Sequence, residues 1–422
     1  MRRTLEDDSR AICVKRAGRI SLRSPVLLLF LVASRTAFAG WELTPPAEPN
    51  RNWHVDARVG GSYDDNFNAT EKNRQSGFRD SSSITLRASV PLERFLMGVQ
   101  YSYGIDYPRD VKLGGVDQTH NLNAGASYSV NPRLTLSLSE NYINSLQPQL
   151  VLGPANAPIT IEQAGTYVYN NLGGAVNFDL SQRWVMSVSG SWDIWRYQAS
   201  SVASNNDHED YSTTVSALYS VDPRTIVGLN YQYGQTLYVN PGYHNGLNAS
   251  SHTGYLSIIR RFNPELSATI YGGYTLRESE DGTVNTSPSV FGSLVYNYGP
   301  ISTLSLTAAE SLSASTLGVT REFSAQQNTS VALQVNHRLT ARLTAVADLT
   351  FVYSSFTAPL FPGVTVSPSE QALTAHVGFN YAFRNWVSAV MDYYHYELVS
   401  SNSLLIQPYE RNTIFLGLGL TY

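Results

Sequence analysis

The chain has 422 residues, with 29 Lys and Arg against 33 Asp and Glu, one Cys, four Met, 27 Tyr, 30 Gly and a formal net charge of −4. No basic excess or basic patch points to nucleic acid, which is excluded as an expected partner. Mean hydropathy is −0.19, and no apolar run beyond residue 39 is long enough for a membrane-spanning helix.

The first 23 residues carry Arg2, Arg3, Arg10, Lys15, Arg16, Arg19 and Arg23. The apolar run Val26-Leu27-Leu28-Leu29-Phe30-Leu31-Val32 follows, and then Ala37-Phe38-Ala39. A basic segment, a short apolar segment and an A-x-A site are the parts of a Sec-type secretory signal peptide, with cleavage expected before Gly40. The apolar run is too short to cross a bilayer as a helix. No Cys stands at the cleavage point, and Cys13 leaves with the signal, so neither a lipid anchor nor a disulfide is expected in the mature chain. Removing the eight basic and three acidic residues of positions 1–39 leaves 21 basic and 30 acidic residues, a net charge of −9. Residues 40–52, with Pro45, Pro46 and Pro49, read as a disordered periplasmic lead-in too short for a plug domain.

From residue 53 the sequence alternates with a period of two. Val55, Ala57, Val59 and Tyr63 oppose His54, Asp56, Arg58 and Ser62. Ile84, Leu86, Ala88 and Val90 oppose Thr85, Arg87 and Ser89. Phe95, Met97, Val99, Tyr101 and Tyr103 oppose Gly98, Gln100, Ser102 and Gly104. The pattern continues through Leu134, Leu136 and Leu138 to Leu373, Ala375, Val377, Phe379 and Tyr381. Such strands place one apolar face in lipid and one polar face in a lumen, which keeps mean hydropathy low.

Short turn signals recur at Pro91-Leu92-Glu93-Arg94, Asn131-Pro132-Arg133, Ser181-Gln182-Arg183, Asp222-Pro223-Arg224, Asn263-Pro264-Glu265, Gly299-Pro300, Asn336-His337-Arg338 and Phe383-Arg384-Asn385. Between them lie longer polar segments at 64–80, 106–116, 146–163, 200–208, 239–248, 279–286, 317–321, 357–368 and 400–409. Eight tight turns and nine loops predict about eighteen strands, with sixteen as the alternative, in an all-β, transmembrane, antiparallel up-and-down barrel over residues 53–422. Tyr63, Tyr107, Tyr142, Trp184, Trp195, Tyr394 and Tyr396, near strand ends, read as interfacial girdles.

The chain finishes on Thr413-Ile414-Phe415-Leu416-Gly417-Leu418-Gly419-Leu420-Thr421-Tyr422. The even-numbered residues form an apolar face that ends on an aromatic ring. The stretch resembles the C-terminal signal of bacterial outer-membrane barrels, with Gly417, Leu418, Leu420 and Tyr422 as the residues expected to be read by the barrel-assembly machinery. It departs from that pattern at Phe415, where a polar residue is usual, and in closing on Tyr instead of the commoner Phe. Together with Gly60-Gly61-Ser62-Tyr63-Asp64-Asp65-Asn66-Phe67 at the end of the first strand, it makes the chain resemble the putative β-barrel porin 2 family and related barrels encoded with exopolysaccharide biosynthesis genes. The resemblance implies residence in the cell outer membrane, in contact with its lipid, and supplies no catalytic residues.

Asp64-Asp65-Asn66 could offer oxygen ligands to calcium, but Asx residues at a strand-to-loop junction also make turns, and the turn is the favoured reading. His208-Glu209-Asp210 could serve acid–base chemistry, yet neighbours on a strand point to opposite faces and cannot converge on one substrate. No G-x-S-x-G, H-E-x-x-H or P-loop pattern is present, so neither catalysis nor a cofactor is expected. The expected functional surface is the lumen. Asp56, Arg58, Arg87, Asp193, Arg277, Asp348, His376, Asp392 and Arg411 fall on its face, where they would either set a transverse field or brace the wall as neutral pairs. Ser, Thr, Asn, Gln and Tyr fill the rest, a lining compatible with saccharides. Two readings follow: a porin-like channel for small polar solutes, and an outer-membrane port of an exopolysaccharide export system with periplasmic partners. Loop 146–163 is the segment best placed to constrict the pore.

Overall fold

The computed structural model describes residues 52–109, 116–145, 150–152, 158–160, 166–239, 248–314, 323–359, 368–401 and 408–422. The signal peptide expected at 1–39 and nearly all of the lead-in lie outside these residues, as do the middles of the expected loops at 106–116, 146–163, 239–248, 317–321, 357–368 and 400–409.

The strands in chain order are β1 (Trp53–Asp64), β2 (Gly77–Pro91), β3 (Phe95–Pro108), β4 (Asp117–Asn131), β5 (Leu134–Ser145), β6 (Leu150–Leu152), β7 (Pro158–Thr160), β8 (Tyr167–Asp179), β9 (Trp184–Tyr197), β10 (His208–Asp222), β11 (Thr225–Tyr238), β12 (Ala249–Arg261), β13 (Leu266–Ser279), β14 (Val284–Gly299), β15 (Ser302–Ala314), β16 (Phe323–Arg338), β17 (Leu343–Pro359), β18 (Ser369–Arg384), β19 (Val387–Ser400) and β20 (Tyr409–Thr421). All but β6 and β7 form one antiparallel sheet of eighteen strands. Each long strand pairs with the next, and β1 pairs with β20, from Asp56↔Thr421 to Asp64↔Thr413, so the sheet closes on itself. β6 and β7 make a separate small hairpin within the connection from β5 to β8. Sixteen strands is thereby set aside.

Closure explains how so polar a chain can face lipid. A barrel pairs every backbone N–H and C=O around the ring, leaving no edge exposed to hydrocarbon. Alternation then sorts the side chains. Val59, Leu229, Leu256, Ile270 and Leu416 project outward and are more than half exposed. The opposite parity carries the small hydroxyls, amides and charges, and it lines the concave side.

The tight turns share one device. Asn131, Asp222 and Asn263 each accept, on the side-chain oxygen, the N–H two residues on, at 2.8, 2.7 and 2.9 Å, with a proline between. Ser181 and Thr340 do the same through their hydroxyls. The last case corrects the expected turn at Asn336-His337-Arg338. Those residues complete β16, and the chain reverses at 339–342, where Thr340 receives the N–H groups of Arg342 and Leu343. Arg384 likewise belongs to β18, with the reversal at Asn385 and Trp386. The expected loop at 200–208 contains a short helix, α1 (Ser200–Asn206). The loop at 279–286 contracts to a tight turn in which Gly282 has φ of +83°.

Where β1 meets β20, the Tyr63-Asp64-Asp65-Asn66 motif acts as a clasp. Asp64 is 2 % exposed and pairs with Arg411, whose Nε lies 2.8 Å from Oδ2. Asp65 accepts from the backbone N–H and the side-chain amide of Asn412, at 2.6 and 2.7 Å. Asn66 donates to the carbonyls of Glu410 and Thr70, and its own N–H returns to Asp64 at 3.0 Å, closing an Asx turn. At the other end of the seam the Trp53 and Tyr422 rings stand 5.5 Å apart. Between them Phe415, an inward ring on the polar face, lies over Gly60 and Gly417. A Cβ on Gly60 would come 2.2 Å from Leu416 O and 2.8 Å from Phe415 Cε2.

Two predictions follow for the folded barrel, read as the midpoint of its heat-induced conversion to the unfolded band on gels. Gly60→Ala should lower the midpoint through overpacking that costs about 1–3 kcal/mol, whereas Gly292→Ala, where a Cβ meets nothing within 4 Å, should leave it unchanged. Asp64→Ala should lower it further, because removing the buried carboxylate leaves the half-buried Arg411 without its partner, at a cost on the order of 3 kcal/mol. Asp80→Ala, which breaks the exposed pair with Arg109, should not move it. Equal midpoints for Asp64→Ala and Asp80→Ala would refute the clasp.

Candidate functional site

The inner wall is built by register. Each cross-strand pair sets two inward side chains side by side, so neighbours on the wall come from residues far apart in sequence. Along β17, β18, β19, β20, β1, β2 and β3 this produces a belt of charged and polar groups. His376 lies between two carboxylates, with Nδ1 2.9 Å from Asp348 Oδ2 and Nε2 3.1 Å from Asp392 Oδ1. The Tyr394 ring stacks on the imidazole at 4.3 Å. Gly378 leaves the space for this contact, since a Cβ there would sit 2.5 Å from Asp392 Oδ1. Asp392 also faces Arg58 at 3.8 Å. Asp56 pairs with Arg87 and accepts from Thr421 Oγ1 at 2.8 Å, and Arg87 Nε donates to Gln100 at 2.8 Å. Arg58 and Arg87 keep about half of their side-chain surface open.

Above part of this belt the wall forms a recess of about 450 Å³, lined by Asp56, Arg58, Thr85, Arg87, Ser102, Asn121 and Asn380. Hydroxyls, amides and ion pairs dominate it.

Asp193 and Arg277 stand on a different arc, β8 to β13. Asp193 accepts from Tyr169 Oη and Asn171 Nδ2, both at 2.7 Å. Its cross-strand neighbour Asp210 accepts from Thr236 Oγ1 at 2.6 Å and lies 3.4 Å from His208 Nε2. Arg277 is 4 % exposed, reaches Thr236 Oγ1 at 3.4 Å, and has no carboxylate within 4 Å among the described residues. Arg411 lies on the first arc but nearer the long-loop rim, in the clasp.

His208 and Asp210 share the inner face, while Glu209 points outward to Arg196, to Trp192 Nε1 at 3.2 Å and to Tyr211 Oη at 2.6 Å. The trio does not converge. Among the described residues no group of three His, Cys, Asp or Glu is placed to hold a metal ion.

Three rings read as girdle residues turn inward instead. Trp195 is buried against Tyr169, at 4.3 Å, and His208, at 5.8 Å. Tyr394 covers His376, and Tyr396 stacks on Tyr409 at 5.2 Å. They share parity with Asp193 and Asp392, and that parity faces the lumen. Alternation alone could have found them, as it could Tyr255, Tyr271 and Phe291, three inner-wall rings on β12, β13 and β14 that aromatic clustering at strand ends did not flag.

The β6–β7 hairpin adds a feature above the wall. β7 comes within 8 Å, Cα to Cα, of β17. β8, which follows the hairpin, is the sixth strand of the barrel and β17 the fifteenth, so in a ring of eighteen the hairpin extends from its own wall to the opposite one.

No curated protein matches the sequence. Among solved structures the chain is similar to the outer membrane protein opdK from Pseudomonas aeruginosa, at 10 % identity over 88 % of this chain and 99 % of that one, with a TM-score of 0.46. It is also similar to Pseudomonas aeruginosa OccK2 (OpdF) in complex with glucuronate, at 10 % identity, 88 % and 98 % coverage and a TM-score of 0.46. A third similarity is to the siderophore receptor PirA from the same organism, at 12 % identity, 89 % and 81 % coverage and a TM-score of 0.40. The family model described as "Putative beta-barrel porin 2" matches residues 162–422, which is more than half of the chain. The eighteen-strand barrel therefore belongs to the putative beta-barrel porin 2 family, a family of porin-like barrels of the outer membrane.

Proposed function

We propose that the protein is a diffusion channel for small, hydroxyl-rich polar solutes, with saccharides as the leading class. The observation that carries this reading is the state of charge on the inner wall. Arg58, Arg87 and Arg411 each face a carboxylate, so these three cations contribute little net positive field. Ser, Thr, Asn and Gln occupy the positions between them, as in the recess beside Arg87. Paired charges in a fixed geometry present donors and acceptors without selecting strongly for ion sign, which suits neutral polyols. An eighteen-strand barrel is wide enough for water and solutes unless a loop narrows it, and the position of the β6–β7 hairpin against β17 supports such a narrowing.

Two measurements test this. In liposomes carrying the refolded barrel, isotonic monosaccharide should cause swelling, with rates that fall as the saccharide lengthens; liposomes that do not swell in any saccharide would overturn the reading. In planar bilayers the wild type should show ohmic steps in KCl. Replacing residues 150–160 by a four-residue Gly-Ser linker should raise the unit conductance, and an unchanged conductance would show that the hairpin is not the constriction.

A further inference from the structure

On β12, β13 and β14 the inner wall changes from hydroxyls to a continuous row of rings. Tyr255 and Tyr271 have centroids 5.3 Å apart, and Tyr271 and Phe291 lie 4.5 Å apart and nearly parallel, at 12°. Tyr271 and Phe291 are direct cross-strand partners. Tyr255 lies opposite Gly273, and that glycine is what lets the row form: a Cβ there would come 2.0 Å from Gly254 O and 2.5 Å from Tyr255 Cβ. All three rings are half-buried. Buried hydroxyls border them, those of Thr253, Ser257, Thr275 and Ser289.

We infer that Tyr255, Tyr271 and Phe291 form a stacking track for the pyranose rings of a saccharide passing through the lumen. The inference rests on the reading of the barrel as a channel for hydroxyl-rich solutes and adds the site and the part of the solute it takes. A pyranose carries its C–H bonds on its faces and its hydroxyls at its rim. A row of aromatic faces therefore accepts the ring face and leaves the hydroxyls at its rim to the water of the lumen. An open-chain polyol has the same hydroxyls and no such face.

The barrel contains its own comparison. Phe415 is also an inward ring laid over glycines, Gly60 and Gly417, but among the described residues it has no ring neighbour. Seating a glycine needs one ring. Three rings in contact across three strands exceed that need and extend an apolar strip beside the polar groups of the same strands.

The test uses the full refolded chain in planar bilayers, with maltotriose as the ring-bearing probe and sorbitol as the open-chain one. Maltotriose should block the wild-type current. Tyr271→Ala and Phe291→Ala should each weaken that block by about five- to tenfold, with KCl conductance and sorbitol permeation unchanged. Tyr271→Phe, which keeps the ring, should restore wild-type block, and Phe415→Ala should leave it within about twofold of the wild type. Equal block in the wild type and Tyr271→Ala would overturn the track while leaving the channel standing, and so would a loss in Phe415→Ala as large as in Tyr271→Ala. A wild type that conducts no ions would overturn the channel reading instead. The track is then decided by saturation-transfer NMR of maltotriose on the detergent-solubilised barrel: signal lost in Tyr271→Ala and kept in Tyr271→Phe supports it, and signal absent or equal in all three overturns it.

Discussion

Everything in this structure depends on the pairing of β1 with β20. A sheet in hydrocarbon cannot end, because each unpaired N–H or C=O at an edge would cost several kcal/mol. The first and last strands must therefore find each other across more than 340 residues of sequence, as in the pair Asp64↔Thr413. The seam concentrates its specific contacts at its two ends. Trp53 meets Tyr422 at the short-turn end, and Asp64, Asp65 and Asn66 hold Arg411, Asn412 and Glu410 at the long-loop end. Between the ends, the approach of Gly60 to Gly417 leaves room for Phe415 to lie across both strands. The register is thus fixed at top, middle and bottom. A slip of one residue would send every outward leucine of β20 into the lumen.

Once the ring is closed, its interior is not a core in the ordinary sense. Apolar residues face lipid, and the inside must be satisfied by hydrogen bonds or water. That is why buried groups on the inner wall are mostly serine, threonine and asparagine, and why the arginines stand beside carboxylates or hydroxyls. The exceptions are compact apolar clusters high on the inner wall, one around Val352, Phe356 and Leu398, the other around Ile143, Tyr167 and Trp195. The first includes residues of β17, the strand that the β6–β7 hairpin approaches.

Much of this was legible in the sequence, and the reasons divide cleanly. Period-two alternation assigns faces, so the parity of Asp56, Arg87 and Asp392 could be read without coordinates. Asx-Pro pairs mark reversals, and Asn131, Asp222 and Asn263 turn where expected. The turn at Thr340 escaped because a hydroxyl there does the work of an Asx side chain and no proline announces it. Neighbours across strands escaped altogether. Parity says that Asp392 faces inward, but only register brings it to His376, sixteen residues away, and to Arg58, on a strand at the far end of the chain. Composition misled where it replaced parity: Trp195, Tyr394 and Tyr396 look like girdle residues by type, yet their positions point inward, and Tyr394 lies mid-strand. The motif Tyr63-Asp64-Asp65-Asn66 was recognisable as a resemblance, and its physical meaning, a seam contact with residues 410–412, required the closed ring.

The inner wall is two-sided, and this asymmetry bears on what a passing solute would meet. β13 is the eleventh strand of the ring and β2 the second, so the ring bearing Tyr271 faces the wall bearing Arg87 across the lumen. One wall offers aromatic faces and the other offers oriented donors and acceptors, among them the ion pairs of Arg58 and Arg87. A channel for inorganic ions gains nothing from a stripe of rings, and a channel for apolar molecules gains nothing from the belt of Asp56, Arg87, His376 and Asp392. If the barrel is the saccharide channel proposed, a solute with apolar faces and a polar rim gains from both. Gly273 and Gly378 point the same way, since each gives up a side chain on the inner wall to let a functional group, Tyr255 in one case and Asp392 in the other, sit where a Cβ would exclude it. Glycine inside a strand weakens it. Its presence at both places, on strands five apart in the ring, ties the shape of the lumen to the particular groups displayed there.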